Sequence, residues 1–395
     1  MAFKILQITH KPPFPKIDGG CLEIAKMSNH YDSNKNIELD IFSLSTYKHP
    51  FIKNEFEKTL SNQVNLFSIQ VNTKPSFFQA IRSLFTDESY NLNRFVNKEV
   101  IEKLTEIVEN KHYDFIQFES IYTGQFISFL KPHSQATFIL NAPNVEFNLW
   151  KQHASKATFI KKWYFNSLSK RLKKQEISIW NQMDGIICIT KEIKETIEKN
   201  KIQVPTLVLP FKLDLKEYNR TNTNNNSPSF FHIGAMDWEP NSEGINWFIT
   251  HIWNSISSPT KLHLAGKGMK NEDYKMDSVQ VHGFVDNALD FINSYDIMIV
   301  PLLTGSGMRI KIIEAMALGK CVISTKKGAE GINYTDHINI WIANTPDEFK
   351  TVINQFIEDK KLAGQIGSAA RKLVEEEYNS NNLDEELIPF FKTLK

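Results

Sequence analysis

Short apolar segments alternate with longer segments of helical spacing along almost the whole chain. Residues 93–110 illustrate the helical kind, because Val100, Leu104 and Ile107 recur at intervals that place them on one face. Such an alternation of strands and helices predicts parallel sheets that are covered by helices on both faces. In the first half the predicted strands are residues 3–8, 38–44, 64–71, 114–118, 137–140 and 185–189.

The alternation is interrupted once and then begins again. Residues 221–228 are polar, low in complexity and end at a proline, so they predict a loop near a domain junction. A chain of 395 residues also exceeds what one hydrophobic core usually supports. We therefore expect two α/β domains. After the loop the predicted strands are 229–234, 261–265, 279–282, 296–301 and 321–324, and the predicted helices are 242–256, 286–293, 308–318 and 346–378.

Composition excludes several classes of protein. The formal net charge is +1, whereas a protein that binds nucleic acid normally carries a strong basic excess. Cys21, Cys188 and Cys321 are far apart in mostly apolar surroundings, which disfavours a zinc site or a disulfide framework and predicts buried thiols. The first apolar run is too short for a signal peptide, and no run approaches the length of a membrane span. These features predict a cytoplasmic protein without a metal or another cofactor.

The segment from Pro301 to Gly319 contains the main candidate binding residues. A buried strand leads into the turn Gly305–Ser306–Gly307, and a helix then extends to Gly319. Backbone N–H groups at such a turn, together with the helix dipole, favour an anion. Arg309 and Lys311 add positive charge that suits a diphosphate, and Glu314 shares the helix face of Lys311. On spacing alone, an ordinary solvated polar stripe explains the segment equally well.

This segment and its neighbours resemble the donor-binding half of the retaining glycosyltransferases of family four, which have the fold called GT-B. Several motifs in the same order make the resemblance specific. The resembling residues are His232–Trp238, Pro240–Asn241, Trp247–Phe248, Leu264–Gly268, His282–Asp286, Ser294–Asp296, Val300–Leu302, Gly305–Lys311, Glu314–Gly319, Val322–Thr325 and Gly328–Ile332.

The resemblance implies a donor site for a nucleotide sugar. Members of the family usually carry two glutamates with seven residues between them, and Glu314 matches the second, which binds the nucleotide ribose. The first falls on Ser306, as in a bacterial sub-group with a Gly-Ser-Gly-x-Arg-x-Lys-x-x-Glu motif. This departure concerns how the hydroxyls of the transferred sugar are held. The implied donor-binding residues of this half are Asn241, Gly305, Ser306, Gly307, Arg309, Lys311 and Glu314.

The first half carries further candidate residues. Gly19 and Gly20 lie between the first strand and the first helix, where they allow close approach of a donor phosphate. Asn144 and Glu146 match an Asn-Val-Glu triplet of the family, but Pro143 stands where many relatives have histidine. Proline cannot replace imidazole in accepting a proton. Glu146, Asn144, Arg309 and Lys311 are therefore the predicted catalytic residues, with His10 as an outside candidate and Asn144 alternatively a helix cap.

The resemblance also implies the architecture. We expect two Rossmann-like domains facing across a cleft, with residues 1–210 plus 380–395 as the acceptor-side domain and 211–379 as the donor-side domain. The apolar pattern of the last residues suits a C-terminal helix that returns to the first domain. The implied reaction moves a sugar, with retention of configuration, to a glycan, lipid-linked or protein acceptor. A nucleotide-sugar epimerase of the same fold and a non-catalytic nucleotide-sugar-binding protein remain open alternatives.

A basic and aromatic segment indicates a second kind of partner. Residues 161–174 combine six basic residues with Trp163, Tyr164 and Phe165 in a predicted helix. Aromatic residues beside a basic face are typical of peripheral contact with an anionic membrane, here the inner membrane face. A solvated face beside a packed seam that includes Leu168 and Leu172 explains the same pattern.

Overall fold

A computed structural model describes residues 2–74, 89–221, 228–257, 259–270, 274, 276–305 and 307–395. The chain divides into two compact units. The first comprises Met1–Leu209 together with Glu385–Lys395, and the second comprises Pro210–Asp384. Most of the predicted loop 221–228 and the predicted donor residue Ser306 lie outside the described residues.

Parallel strands form the centre of the first unit. Its described strands form a seven-stranded sheet in the order β3-β2-β1-β4-β5-β6-β7. They are β1 (Phe3–Thr9), β2 (Ile37–Ser45), β3 (Asn65–Gln70), β4 (Phe115–Glu119), β5 (Thr137–Ala142), β6 (Gly185–Cys188) and β7 (Thr206–Val208). The described α-helices that begin in this unit are Gly19–Ser33, Lys53–Glu57, Tyr90–Asn93, Lys98–Asn110, Ile121–Gly124, Ile127–Leu130, Glu146–Lys156, Phe159–Gln182 and Lys191–Lys199.

The C-terminal helix, Leu383–Thr393, packs on the first unit, as the sequence predicts. The ring of Phe391 stacks on Phe115 at 4.6 Å between centroids and lies edge-on to Phe3. Phe391 is fully buried, so these rings close one end of the first core. Beyond the helix, the Lys395 ammonium pairs with the Asp114 carboxylate.

The second unit repeats the same strand order. Its described strands form a six-stranded sheet in the order β10-β9-β8-β11-β12-β13. They are β8 (Phe230–Ile233), β9 (Leu262–Ala265), β10 (Val279–Gly283), β11 (Ile297–Val300), β12 (Cys321–Ser324) and β13 (Trp341–Ile342). All pairings recorded between neighbouring strands are parallel. The described α-helices are Glu239–His251, Ala288–Asn293, Ile310–Ala317, Pro346–Glu358 and Lys360–Glu377.

The two parallel α/β sheets confirm the predicted fold class, and the differences from the predicted elements are local. Strands β7 and β13 were not predicted, because they have only three and two residues and are half-buried. The predicted helix 346–378 is two helices, because Asp359 ends the first and its carboxylate caps the second at Lys361 N. In the described ranges, no helix combines the length and the apolar character needed to cross a membrane.

Candidate functional site

Each sheet has one point where the strand order reverses. In the first sheet this point lies between β1 and β4, and in the second it lies between β8 and β11. Ligands of open parallel sheets bind beyond the carboxyl ends of the strands at this reversal. The predicted donor residues of the second half cluster there, because β8 leads to Gly234 and Asn241 while β11 leads to the turn before the helix Ile310–Ala317.

Lys311 reaches from this helix to the end of β8. Its ammonium donates to the Ile233 carbonyl at 3.0 Å and to Asn241 Oδ1 at 2.9 Å. His232 Nδ1 donates to the Ile299 carbonyl, which leaves Nε2 as an acceptor 3.5 Å from the same ammonium. Burial, and secondarily the charge of Arg309, lowers the pKa of Lys311 to about 7. The site therefore holds a lysine whose protonated form an incoming anion would stabilise, the proton being taken up from the solvent.

Gly234 allows this arrangement by having no side chain. A Cβ at Gly234 would lie 2.7 Å from Asn241 Nδ2 and 3.0 Å from Lys311 Nζ. Asn241 Nδ2 donates to the Ala235 carbonyl, so its amide is fixed while its Oδ1 accepts from Lys311. The structure thus brings Asn241 and Lys311, two of the predicted donor residues, into direct contact.

Arg309 occupies the N-cap position of the helix Ile310–Ala317 and is 6% exposed. Its guanidinium lies over the Trp238 ring at 5.0 Å and donates to the Gly307 carbonyl at 2.5 Å. Burial lowers the pKa of Arg309 to about 10, an effect that Glu330 opposes, so the group stays charged at neutral pH. Gly305 has a φ of 98°, and a Cβ there would lie 2.8 Å from the guanidinium, so this turn favours glycine.

Glu314 lies about one turn beyond Lys311 in the helix Ile310–Ala317. The hydroxyl of the buried Tyr218 donates to Glu314 Oε1 at 3.1 Å, and burial raises the pKa of Tyr218. A carboxylate held in this way accepts hydrogen bonds from a diol such as a ribose. Tyr218 is a neighbour of the site that no sequence pattern indicated. Trp238 and His232 belong to the segment that resembles the family, but they were not predicted as site residues, because their contacts with Arg309 and Lys311 join residues distant in sequence.

The predicted glycine pair of the first unit forms the first turn of the helix Gly19–Ser33. Asp18 caps this helix, since its carboxylate accepts from Cys21 N, and it also pairs with Lys11 at 2.7 Å and with His49 at 2.9 Å. A Cβ on Gly20 would lie 2.5 Å from Lys11 Nζ, so the absent side chain makes room for the lysine. Lys11 is the cation that the structure provides beside this turn.

Glu146 and Asn144 follow β5 at the carboxyl edge of the first sheet. The Tyr122 hydroxyl donates to Glu146 Oε2 at 2.9 Å, and burial raises the pKa of Glu146. The alternative of Asn144 as helix cap is wrong, because the N-cap of Glu146–Lys156 is Val145, without a side-chain cap. Instead the fully buried Glu176 accepts from the N–H groups of Glu146 and Phe147.

One group among the described residues has the geometry to hold a metal. The ligand atoms of Asp18, Cys21 and His49 lie within 4.8 Å of one another. However, burial raises the pKa of the Cys21 thiol to about 11, and the ammonium of Lys11 already neutralises Asp18. The side chains of Asp18, Cys21 and His49 are therefore better suited to their present ion pairs and hydrogen bonds than to a divalent cation.

Comparison with solved structures shows that the chain has the two-domain α/β fold of GT-B glycosyltransferases. Sucrose-phosphate synthase from Thermosynechococcus elongatus is 15% identical, with a TM-score of 0.74 and 99% of each chain covered. HepE from Anabaena in complex with UDP is 14% identical, with a TM-score of 0.69, covering 99% of this chain and 100% of that one.

Sequence comparisons support the same superfamily. Residues 227–359, within the second unit, match the family described as Glycosyl transferases group 1. An uncharacterized 44.6 kDa protein in the cps region of Klebsiella pneumoniae is 26% identical, covering 96% of this chain and 97% of its own length. The matched segment contains Asn241, Arg309, Lys311 and Glu314, and sugar transfer is the class of reaction that these similarities support.

Proposed function

We propose that this protein transfers a sugar from a nucleotide-sugar donor to an acceptor with retention of configuration at the anomeric carbon. The observation that carries the proposal is the cationic site at the β8–β11 reversal, where Arg309 is buried and Lys311 reaches Ile233 and Asn241. When the bond from the anomeric carbon to the diphosphate breaks, the electron pair leaves with the nucleoside diphosphate. Two fixed cations stabilise that growing charge.

The relatives favour particular substrates. The HepE structures contain UDP, UDP with glucose, and UDP-glucose, so a uridine diphosphate sugar is the first donor to test. The Klebsiella relative lies in a cps region, which favours a glycan or lipid-linked oligosaccharide as acceptor.

In the proposed donor site each residue has a separate task. The turn Gly305–Gly307 and the helix start bind the diphosphate together with Arg309, Lys311 and Asn241. Glu314 binds the ribose hydroxyls. The reaction then takes neither a cofactor nor a metal ion, because the two cations supply the charge that the leaving group needs. Gly19 and Gly20 allow donor phosphate to approach the first unit closely.

The proposal is tested by measuring donor binding before turnover. Nucleoside diphosphates and nucleotide sugars are screened by thermal shift, because a ligand at a hundred times its Kd stabilises by about 2.7 kcal/mol. Release of the diphosphate is then followed with glycan and lipid-linked acceptors. Conversion of a nucleotide sugar to a new epimer without acceptor would favour the epimerase, and binding without any turnover would favour a binding protein. Absence of nucleotide binding would contradict all three.

Glu146 and Asn144 are the proposed polar contacts of the first unit with the reacting sugar. Glu146→Gln keeps the shape and the bond from Tyr122 but removes the negative charge, so turnover should fall between about tenfold and a hundredfold, as for hydrogen bonds to charged groups. Asn144→Ala should lower turnover by a smaller factor. Initial rates of diphosphate release measure both effects. Near-normal rates in both variants would make this loop purely structural.

The helix Phe159–Gln182 is proposed to dock on an anionic membrane. Phe159 is 95% exposed and Trp163 is 63% exposed, one turn apart on one face, while Lys161 and Lys162 are exposed beside them. Each lysine near an anionic leaflet contributes about 1 kcal/mol. Replacing Lys161, Lys162, Lys170 and Lys174 by serine should therefore weaken sedimentation with phosphatidylglycerol vesicles at least about tenfold.

A matched variant distinguishes the effect of this surface on vesicle binding from the effect of the overall charge. Lys53, Lys58, Lys98 and Lys199 are exposed elsewhere on the same unit, and their replacement by serine changes the net charge equally. This control should bind vesicles like the unmodified protein. Equal binding by both four-lysine variants would eliminate the docking surface.

A further inference from the structure

The helix Glu146–Lys156 begins in the loop that carries Asn144 and Glu146, but it has no cap of its own. Its N-cap residue is Val145, and no side chain at that position accepts a hydrogen bond. The first N–H groups of a helix have no partner within the helix, and an unpaired N–H is costly where water is excluded. Phe147, the second residue of the helix, is buried. The start of this helix therefore depends on an acceptor from elsewhere in the chain.

Glu176 supplies this acceptor from the helix Phe159–Gln182. Its Oε1 accepts from Glu146 N at 3.1 Å and its Oε2 accepts from Phe147 N at 3.0 Å, so both carboxyl oxygens are used. Burial, and secondarily the charge of Glu146, raises the pKa of Glu176, while the two N–H groups oppose this rise. The positive end of the helix dipole also favours a negative charge at this point. One buried carboxyl group thus fixes two consecutive peptide groups.

The helix Phe159–Gln182 holds the same segment at two further points. The buried Ser169, about two turns before Glu176, donates from Oγ to the Phe147 carbonyl at 2.8 Å. The Phe147 ring lies 6.1 Å from the ring of the fully buried Trp180. The N–H, the carbonyl and the ring of Phe147 are therefore all in contact with one helix. These contacts fix both the position and the direction of the first turn of Glu146–Lys156.

The side chain of Glu146 is held separately from its backbone. The Tyr122 hydroxyl donates to Glu146 Oε2 at 2.9 Å, and the Tyr122 ring lies 5.1 Å from Phe95 and 5.7 Å from His10, the outside candidate of the first unit. In the described part of the chain no residue donates to Glu146 Oε1, so this oxygen remains for a ligand. A displacement of the Glu146 backbone would move this oxygen.

We propose that Glu176 is a positioning residue, which fixes through the N–H groups of Glu146 and Phe147 the backbone from which the Glu146 carboxylate contacts the reacting sugar. This inference rests on the proposed role of Glu146 and deepens it. Glu176 does not touch the substrate, because it is fully buried and both of its oxygens are occupied. Misplacing a group in the site by about 1 Å costs up to about a hundredfold in rate, so turnover depends on Glu176.

Glu176→Gln tests the proposal with nearly the same side-chain shape. Its amide oxygen replaces one acceptor, but its NH₂ group only donates, so one of the two bonds is lost. We expect kcat for diphosphate release, with the nucleotide sugar selected by thermal shift, to fall about tenfold while KM for that donor changes less than about twofold. Asn97→Ala removes the side-chain cap of another helix of the same unit, Lys98–Asn110, and should lower the Tm without lowering kcat.

A double-mutant cycle distinguishes positioning from general destabilisation. If Glu176 acts through Glu146, then adding Glu176→Gln to Glu146→Gln should lower kcat by no more than about a further twofold. An unchanged kcat in Glu176→Gln, or the full loss from each substitution in the double variant, would overturn the inference and leave the proposed role of Glu146 intact. An unchanged kcat in Glu146→Gln would overturn both.

Amide hydrogen exchange provides a readout that needs no substrate. The N–H groups of Glu146 and Phe147 should exchange faster in Glu176→Gln than in the unmodified protein, whereas those of the helix Lys191–Lys199 should be unaffected. If Glu176→Gln does not fold, Glu176→Asp, whose carboxylate is one methylene further from the loop, should show the same two changes in exchange and in kcat. Unchanged exchange at both N–H groups would overturn the inference, whatever the outcome for glycosyl transfer.

Discussion

Arg309→Ala is expected to lower donor turnover on the order of a hundredfold while changing donor affinity far less. The guanidinium is nearly buried between Trp238 and the Gly307 carbonyl, so it is already oriented before the diphosphate leaves. A preorganised charge binds the transition state more strongly than the ground state, because the charge on the leaving group grows as the bond breaks. Lys311→Ala should have an effect of similar size.

Glu314→Ala is expected to affect nucleotide binding and not turnover, in contrast to Arg309→Ala. A ribose hydrogen bond is made equally in ground and transition states, so this variant should weaken nucleotide binding and leave turnover at saturating donor nearly normal. Calorimetry with the cognate diphosphate and steady-state kinetics separate the two patterns. Lys372→Ala, at an exposed lysine of the same unit, serves as control. Unchanged binding and turnover in both Arg309→Ala and Glu314→Ala would show that the donor binds elsewhere.

Donor affinity is expected to fall as pH rises above about 7, by as much as tenfold per pH unit, because binding must then protonate Lys311. In the free site burial lowers the pKa of Lys311 to about 7, so above that pH the amine is neutral. A bound diphosphate raises this pKa, since an adjacent negative charge favours the ammonium. Binding therefore takes up a proton in this range, and affinity is greatest below it.

Calorimetry in two buffers of different ionisation enthalpy measures the proton uptake directly. An intact nucleotide sugar is the better ligand, because its diphosphate is a diester without a terminal phosphate that titrates near neutrality. Lys311→Met should bind more weakly but with little pH dependence above pH 7, and proton uptake should disappear. Uptake that persists in Lys311→Met would assign the proton to another group.

The sheet strands were predictable because each is a short apolar run buried in a core. The predicted strand 321–324 coincides with β12, in which every residue is buried, and 296–301 contains all of β11. Strand β13 was not predicted, because two residues produce no periodicity. Trp341 and Ile342 are also only half-buried at the end of the sheet. Local sequence therefore determines the fold class more completely than the element boundaries.

The candidate donor site was predictable as a segment but not as a set of contacts. The spacing placed Lys311 and Glu314 on one helix face, yet Lys311 bonds to Ile233 and Glu314 accepts from Tyr218, both far away in sequence. The low pKa of Lys311 arises from burial, which a local motif does not encode. Likewise, no motif pointed to Glu176 as the cap of the helix Glu146–Lys156.

The C-terminal helix has a consequence for the order of synthesis. Phe391 covers Phe3 and Phe115, but it leaves the ribosome only after all of Pro210–Asp384. At 5–20 residues per second that delay is on the order of ten to thirty seconds. During it the nascent first unit exposes a patch of phenylalanine rings on an otherwise formed sheet. We therefore expect a truncation that removes Phe391 to leave these rings exposed and to cause aggregation.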